Sequence, residues 1–205
     1  YGLSTQATDW EETWLFDIGY GEIEDEAYEE ILRKSASILE QLYDRQSGAA
    51  SSRSMADALA PIFKNLSGDP IIKRGIQWWL ASTIEAEYAS NLDELSFKHW
   101  NMDDAYRGDD VVVSGGYSQI VNRLVEGLNI KYGHVVNKIS QTLDKVMVTT
   151  DQGVIQCDQA VVTLPLGVLQ KNKVEFEPGL TDEKITSIGR LGMGTLNKIA
   201  LRFSK

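Results

Sequence analysis

The sequence has 205 residues, of which 42% are hydrophobic and 24% charged, the composition of an ordinary globular protein. Its formal net charge is −10 at pH 7, and residues 1–30 contain ten acidic residues without any Lys or Arg. This acidity argues against nucleic-acid binding, which needs a basic surface. No apolar run approaches the roughly 18–20 residues of a membrane helix, so we expect no membrane association. The single cysteine, Cys157, excludes an internal disulfide, and no Cys/His cluster indicates a metal site.

The first half of the chain carries helical patterns. Apolar residues recur on one face across 24–43, which predicts an amphipathic helix. Ser54 and Asp57 have the spacing of a capping box, which predicts the start of a second helix. Asp69 is followed by proline, a common helix start, and predicts a third helix that reaches about Tyr88.

From Gly108 onward, the pattern changes to short strands with helices between them. Val111–Val113 predicts a strand, the apolar positions of 120–128 predict a helix with an inward face, and Thr181 predicts a helix cap. Further strands are predicted at 135–140, 146–150, 154–158, 159–164 and 196–203. A helical block followed by a mixed β block predicts an α+β fold.

Three segments carry a more specific signal. The first is Ile84-Glu-Ala-Glu-Tyr-Ala-Ser-Asn-Leu-Asp-Glu-Leu-Ser-Phe-Lys-His-Trp100. The second, 110–139, contains Val-Ser-Gly-Gly-Tyr-Ser, and the third, 158–198, contains Thr-Leu-Pro-Leu-Gly-Val-Leu and Gly-Met-Gly-Thr-Leu-Asn-Lys. In this order and spacing they resemble the flavin-dependent amine oxidase family. Its members include polyamine oxidases, monoamine oxidases, L-amino-acid oxidases and lysine-specific histone demethylases.

The resemblance implies an α/β parent and a division of the chain between two interleaved domains. Residues 1–108 resemble the helical part of the substrate-binding domain. Residues 109–167 resemble the middle segment of the FAD-binding domain, and residues 168–205 resemble the start of the substrate-domain sheet. By this resemblance, the chain passes from one domain to the other and back.

One departure from the family pattern is large. The family binds the FAD pyrophosphate on an N-terminal Gly-x-Gly-x-x-Gly turn, which this sequence lacks, as it lacks the family's C-terminal stretch. We therefore expect an internal fragment of a longer enzyme, inactive and without FAD on its own, whose partners are the missing segments of the same enzyme. The 159–164 strand would lose its neighbours in such a fragment, so we expect oligomerisation through exposed apolar faces.

The resemblance assigns cofactor roles to five residues. Lys198 matches the family lysine that hydrogen-bonds through a water to flavin N5, although a lysine at a strand end is otherwise an ordinary solvated residue. Val136 matches a valine whose backbone N–H and C=O contact the adenine edge of FAD. The remaining three match a strand end that passes near the flavin, and they are Thr163, Leu164 and Pro165.

Glu87 matches a position where some polyamine oxidases place an acid in the substrate tunnel, although it is equally one of several acids on a helix surface. The acidic stretch within 1–30 can likewise attract a cationic substrate or form a solvated helix face. The resemblance leaves the substrate open between polyamines, monoamines, amino acids and peptidyl lysines.

The implied reaction is oxidation of an amine to an imine by hydride transfer to FAD, with O₂ reoxidising the flavin to give H₂O₂. Two alternatives remain: a non-catalytic binding module, or one subunit of a split flavoenzyme. Without a signal-peptide pattern, a cytoplasmic location is expected.

Overall fold

The computed structural model describes residues 2–8, 14–102, 107–108, 110–199 and 201–202. Helices and strands both contribute, so the α+β class is confirmed. The chain divides into two compact units, one formed by residues 7–110 with 194–205 and the other by 1–6 with 111–193. The domain boundaries at 108 and 167 stay a prediction, because this division by contacts does not identify domains of a parent enzyme.

The first unit is mainly helical. Its elements are strands β2 (Phe16–Asp17) and β3 (Gly21–Glu22), helices α1 (Asp25–Gln46), α2 (Met55–Asn65) and α3 (Pro70–Leu80), a π-helical turn (Ala81–Glu85) and α4 (Ala86–Tyr88). The predicted face of α1 is confirmed, because Ile31, Ser35, Ile38 and Leu42 are buried. These residues join the apolar faces of α2 and α3 in one hydrophobic core.

Local capping chemistry fixes where α2 and α3 begin. The Ser54 hydroxyl accepts from the Asp57 N–H at 3.1 Å, and the Asp57 carboxylate accepts from the Ser54 N–H at 3.2 Å. The Asp69 side chain accepts from the Ile71 N–H at 2.7 Å, with proline in the first turn. Both predicted helix starts are therefore confirmed, and both satisfy backbone donors that a helix N-terminus leaves unpaired.

The second unit is built on a four-stranded sheet in the order β7-β6-β5-β8. Its strands are β5 (Val136–Gln141), β6 (Val146–Thr150), β7 (Gly153–Cys157) and β8 (Glu175–Glu177), and a separate pair joins β1 (Thr5–Ala7) to β4 (Val111–Val113). Strands β5 to β7 form an antiparallel meander, whereas β8 runs parallel to β5. The helices are α5 (Ser118–Leu124), α6 (Leu166–Gln170) and α7 (Asp182–Arg190).

Three sequence predictions fail in the described residues. No strand forms at 159–164, where Val161 is 89% and Val162 42% exposed. No strand forms at 196–199 or 201–202 either, and the rest of the predicted 196–203 strand lies outside the described residues. The predicted inward face of α5 is also wrong, because Val121 and Leu124 are exposed. Apolar residues form a strand or a buried face only when a neighbour supplies hydrogen bonds and cover, and these segments have no such neighbour among the described residues.

Candidate active-site cleft

Helix α3 continues into a π-helical turn close to the candidate site. Ile72, Ile76, Leu80 and Ile84 are buried at four-residue intervals, and the last interval crosses the π-helical turn Ala81–Glu85. A π turn adds one residue to a helical turn and is frequent at functional sites. The helix then stops at Ala89, which has left-handed dihedral angles (φ 48°, ψ 41°).

The segment around Gly194 passes directly over this helix end. A Cβ atom added to Gly194 would overlap the carbonyl group of Ala89. Only glycine permits so close an approach between two backbones. Residues 194–199 have no regular secondary structure, and this contact packs their first residue against the helix end.

A cleft of about 460 Å³ lies where the segment meets the helix end. Its walls contain two carboxylates, Glu85 and Glu94. The Glu85 Oε1 atom accepts the Leu92 N–H at 2.9 Å, which holds this side chain in place. The remaining lining residues are Ala81, Ala86, Ala89, Ser90, Asn91, Thr195, Leu196 and Asn197. Two carboxylates in a small cleft can bind an ammonium group through charge-assisted hydrogen bonds.

The predicted residues of this unit lie beside the cleft rather than in its walls. Lys198 is exposed and follows Asn197, the last lining residue. Glu87 is exposed and is not one of the lining residues. Glu85 and Glu94 were not predicted from the sequence. Only the π turn distinguishes Glu85 from its helical neighbours, and a regular 3.6-residue period does not reveal it.

Val136 lies in the other unit, at the start of β5 and opposite Thr150. The preceding residue, Val135, forms two hydrogen bonds with Asp151. The Asp151 N–H donates to the Val135 carbonyl at 3.1 Å, and the Val135 N–H donates to the Asp151 Oδ1 atom at 2.9 Å. Bonded and non-bonded pairs alternate along an antiparallel ladder, so the Val136 N–H and C=O point away from β6. On that side, the ladder with β8 begins only at Lys138. The Val136 backbone is therefore suitably directed to meet the edge of a planar ligand such as adenine.

The other three predicted cofactor residues precede α6. Thr163 and Pro165 are exposed, Leu164 is half-buried, and Pro165 is the N-cap residue of α6. This extended backbone belongs to the same unit as Val136, whereas Glu87 and Lys198 belong to the helical unit. The structure thus divides the predicted residues between the two units.

A comparison with protein families identifies the scaffold. The model of the family described as flavin containing amine oxidoreductase matches residues 23–205. The chain belongs to this family. Amine oxidation is therefore the general chemistry of its family, and a flavin is the family's cofactor.

This flavin amine oxidoreductase chain is similar to polyamine oxidases and to lysine-specific histone demethylase homologs. It is 35% identical over 127 residues to polyamine oxidase 5 of Oryza sativa subsp. japonica, covering 62% of this chain and 26% of the relative. It is 33% identical over 167 residues to lysine-specific histone demethylase 1 homolog 2 of Arabidopsis thaliana, covering 80% of this chain and 22% of the relative. The chain thus spans about a quarter of the length of these curated relatives.

A solved structure supports the fold of this flavin amine oxidoreductase chain. A redesigned putrescine oxidase superposes with a TM-score of 0.59 at 14% identity, covering 92% of this chain and 47% of that one. At this identity, the likeness concerns the fold alone. In the described part of the chain, none of the helices has the length and apolar character needed to cross a lipid bilayer.

Proposed function

We propose that these 205 residues are an internal part of an FAD-dependent amine oxidase that converts an amine to an imine and uses O₂ as the final electron acceptor, with H₂O₂ as product. The family match over residues 23–205 carries this proposal. The share of each curated relative that the chain covers supports its being part of a longer enzyme, inactive and without FAD on its own.

The cofactor residues of this proposal are Val136, Thr163, Leu164, Pro165 and Lys198. The backbone of Val136 would bind the adenine edge, and the extended backbone of Thr163, Leu164 and Pro165 would lie near the flavin ring. The flavin, when bound, supplies the two-electron acceptor for the amine. The Lys198 ammonium would hold a water molecule by hydrogen bonding at flavin N5.

The cleft supports a substrate with more than one amino group. The nitrogen beside the oxidised carbon has to be neutral to release electron density, so a carboxylate next to it would hold the wrong protonation state. Glu85 and Glu94 are therefore proposed to bind a second, remote ammonium group. The exposed Glu87 would add negative charge at the approach to the cleft. This arrangement favours a diamine or polyamine over a simple monoamine.

The test uses the polypeptide encoded by the complete reading frame that contains residues 1–205. We expect bound flavin absorbance and amine-dependent H₂O₂ production, with a polyamine oxidised at lower KM than benzylamine. The Glu85→Gln and Glu94→Gln variants are expected to raise the KM for the polyamine by about tenfold and to leave that for benzylamine unchanged. Glu40→Gln, an exposed acid on α1, is the matched control.

Three results would decide against parts of this proposal. A colourless, folded product without peroxide formation would favour the alternative of a non-catalytic binding module, and recovery of flavin binding with a second polypeptide would favour a split enzyme. An active enzyme in which both glutamate variants behave like Glu40→Gln would keep the amine oxidase but reject the carboxylate site.

A further inference from the structure

A second cleft, the α1–α2 groove, lies on the helical unit and shares no residue with the active-site cleft. It has a volume of about 690 Å³. It runs between α1 and α2 and is closed at one end by the turn that follows α2. The lining residues are Arg33, Lys34, Ser37, Ile38, Gln41, Arg45, Pro61, Ile62, Asn65, Leu66 and Ser67.

All charged residues that line the α1–α2 groove are basic, although the whole chain carries a net charge of −10. Arg33 and Lys34 lie at one end and Arg45 at the other, with no Asp or Glu among the lining residues. Lys34 pairs with Glu30 at 2.6 Å. Within the described residues, the two arginines form no ion pair, so both guanidinium groups can bind an anion. Arg45 follows Arg33 by 12 residues, which corresponds to about 18 Å along the helix axis.

Between its charged ends, the groove offers apolar contacts and hydrogen-bond acceptors. Its floor contains the buried Ile38 and the half-buried Ile62 and Leu66. The side-chain amides of Gln41 and Asn65 donate to helix carbonyl groups at 3.3 and 2.9 Å. These bonds use the amide nitrogens and leave the amide oxygens to accept hydrogen bonds from a ligand.

We propose that the α1–α2 groove binds an extended acidic peptide segment of a partner protein, with a carboxylate at each end and apolar side chains between. In seven extended residues, the first and last Cα atoms lie about 20 Å apart, close to the separation of the two arginines, and positions 1, 3, 5 and 7 share one face. Arginine binds carboxylates in a planar, two-bonded geometry, and the amide oxygens can receive peptide N–H groups. These acceptors favour a peptide over a hydrocarbon dicarboxylate, which has no N–H to donate. The overall negative charge opposes acidic partners at long range, so selectivity comes from the groove itself.

The experiment measures fluorescence anisotropy of a labelled Glu-Ala-Leu-Ala-Leu-Ala-Glu peptide titrated with the complete polypeptide that contains residues 1–205. Saturable binding is expected, with none for the Lys-Ala-Leu-Ala-Leu-Ala-Lys peptide. The double variant Arg33→Gln/Arg45→Gln is expected to weaken binding by about a hundredfold, since each charge-assisted contact contributes about tenfold. Arg123→Gln/Lys131→Gln makes the same charge change at exposed positions of the other unit and is expected to bind like the unmodified chain.

The proposal is overturned if the acidic peptide does not saturate, if the basic peptide binds equally well, or if the two double variants weaken binding equally. Circular dichroism of both variants separates loss of binding from loss of folding. Because all four substituted residues are exposed, both variants are expected to fold. The result is independent of flavin binding and amine oxidation, so failure here leaves the proposed enzyme function untouched.

Discussion

Gly194 lies so close to Ala89 that a side chain at Gly194 would overlap the Ala89 carbonyl group. Ala89 is the left-handed residue at which the helix through the π turn ends. The contact fixes the start of the segment that lines the active-site cleft and continues to Lys198. The position of the proposed flavin-side lysine therefore depends on one glycine four residues before it.

Replacing Gly194 with alanine is expected to detach this segment from the helix end, because the added methyl group cannot share space with a backbone carbonyl. The free energy of unfolding, measured with denaturant, should fall, and amine-dependent peroxide formation by the complete enzyme should fall. Gly192→Ala is the control, since a Cβ atom there meets nothing within 4 Å. Equal unfolding free energies of the two variants would contradict the proposed anchoring role.

The crossing of α1 and α3 depends on a second glycine. A Cβ atom at Gly75 would overlap the side chain of Ile31, which is completely buried. Gly75→Ala is therefore expected to lower the free energy of unfolding by about 1–3 kcal/mol through overpacking. Thermal or denaturant unfolding measures the change, and the double variant with Ile31→Val should recover part of the loss.

Substitution of Gly189 is a control that is expected to raise the free energy of unfolding, whereas Gly75→Ala lowers it. It lies within α7, and a Cβ atom there meets nothing within 4 Å. Gly189→Ala should raise the free energy of unfolding by about 0.5–1 kcal/mol, because alanine loses less conformational entropy in a helix. If both substitutions change stability in the same direction, the overlap at Gly75 does not decide the packing of α1 on α3.

The pair formed by Asp17 and Arg74 predicts a pH dependence. Arg74 Nε lies 2.8 Å from the Asp17 carboxylate, and this hydrogen bond is the main cause that holds the pKa of Asp17 below its ordinary 3.8. The Gly19 and Tyr20 N–H groups, at 2.9 and 3.1 Å, lower that pKa further. A carboxylate with a lowered pKa in the folded state stabilises that state above the unfolded-state pKa. This contribution falls as the pH drops through 3.8 and is lost below the folded-state pKa.

The stability difference between the unmodified chain and Asp17→Asn should therefore be largest near neutral pH and disappear in acid. Urea unfolding at several pH values measures it. Because Arg74 is half exposed, the difference should be small and should shrink further in high salt. Asp44→Asn, at an exposed position of α1, is the matched control. A difference that persists unchanged in acid would mean that the charge of Asp17 is irrelevant to stability.

Features that depend on neighbours in sequence were predictable. The Ser54–Asp57 capping box and the Asp69 cap involve side chains within three residues of the groups they satisfy, so the residue types alone indicate them. The buried face of α1 follows from regular spacing of apolar residues, and the meander of β5 to β7 from strand patterns around short turns.

Features that depend on distant neighbours were not predictable. An apolar run such as 159–164 predicts a strand only if another strand pairs with it, and among the described residues none does. The cleft that contains Glu85 and Glu94 is completed by Thr195, Leu196 and Asn197, a chain segment a hundred residues further along. The resemblance identified the family and directed attention to Lys198 and Glu87, but the local sequence contains no signal for the cleft walls.

The most direct test of the proposed function compares two lysine variants of the complete enzyme. Lys198→Met should retain flavin absorbance and lose amine-dependent peroxide formation by about a hundredfold, because it removes a charged hydrogen-bond donor from the reacting atoms. Lys171→Met, at an exposed position of the other unit, should behave like the unmodified enzyme. A complete polypeptide without bound flavin, or a Lys198→Met variant as active as Lys171→Met, would contradict the proposed role.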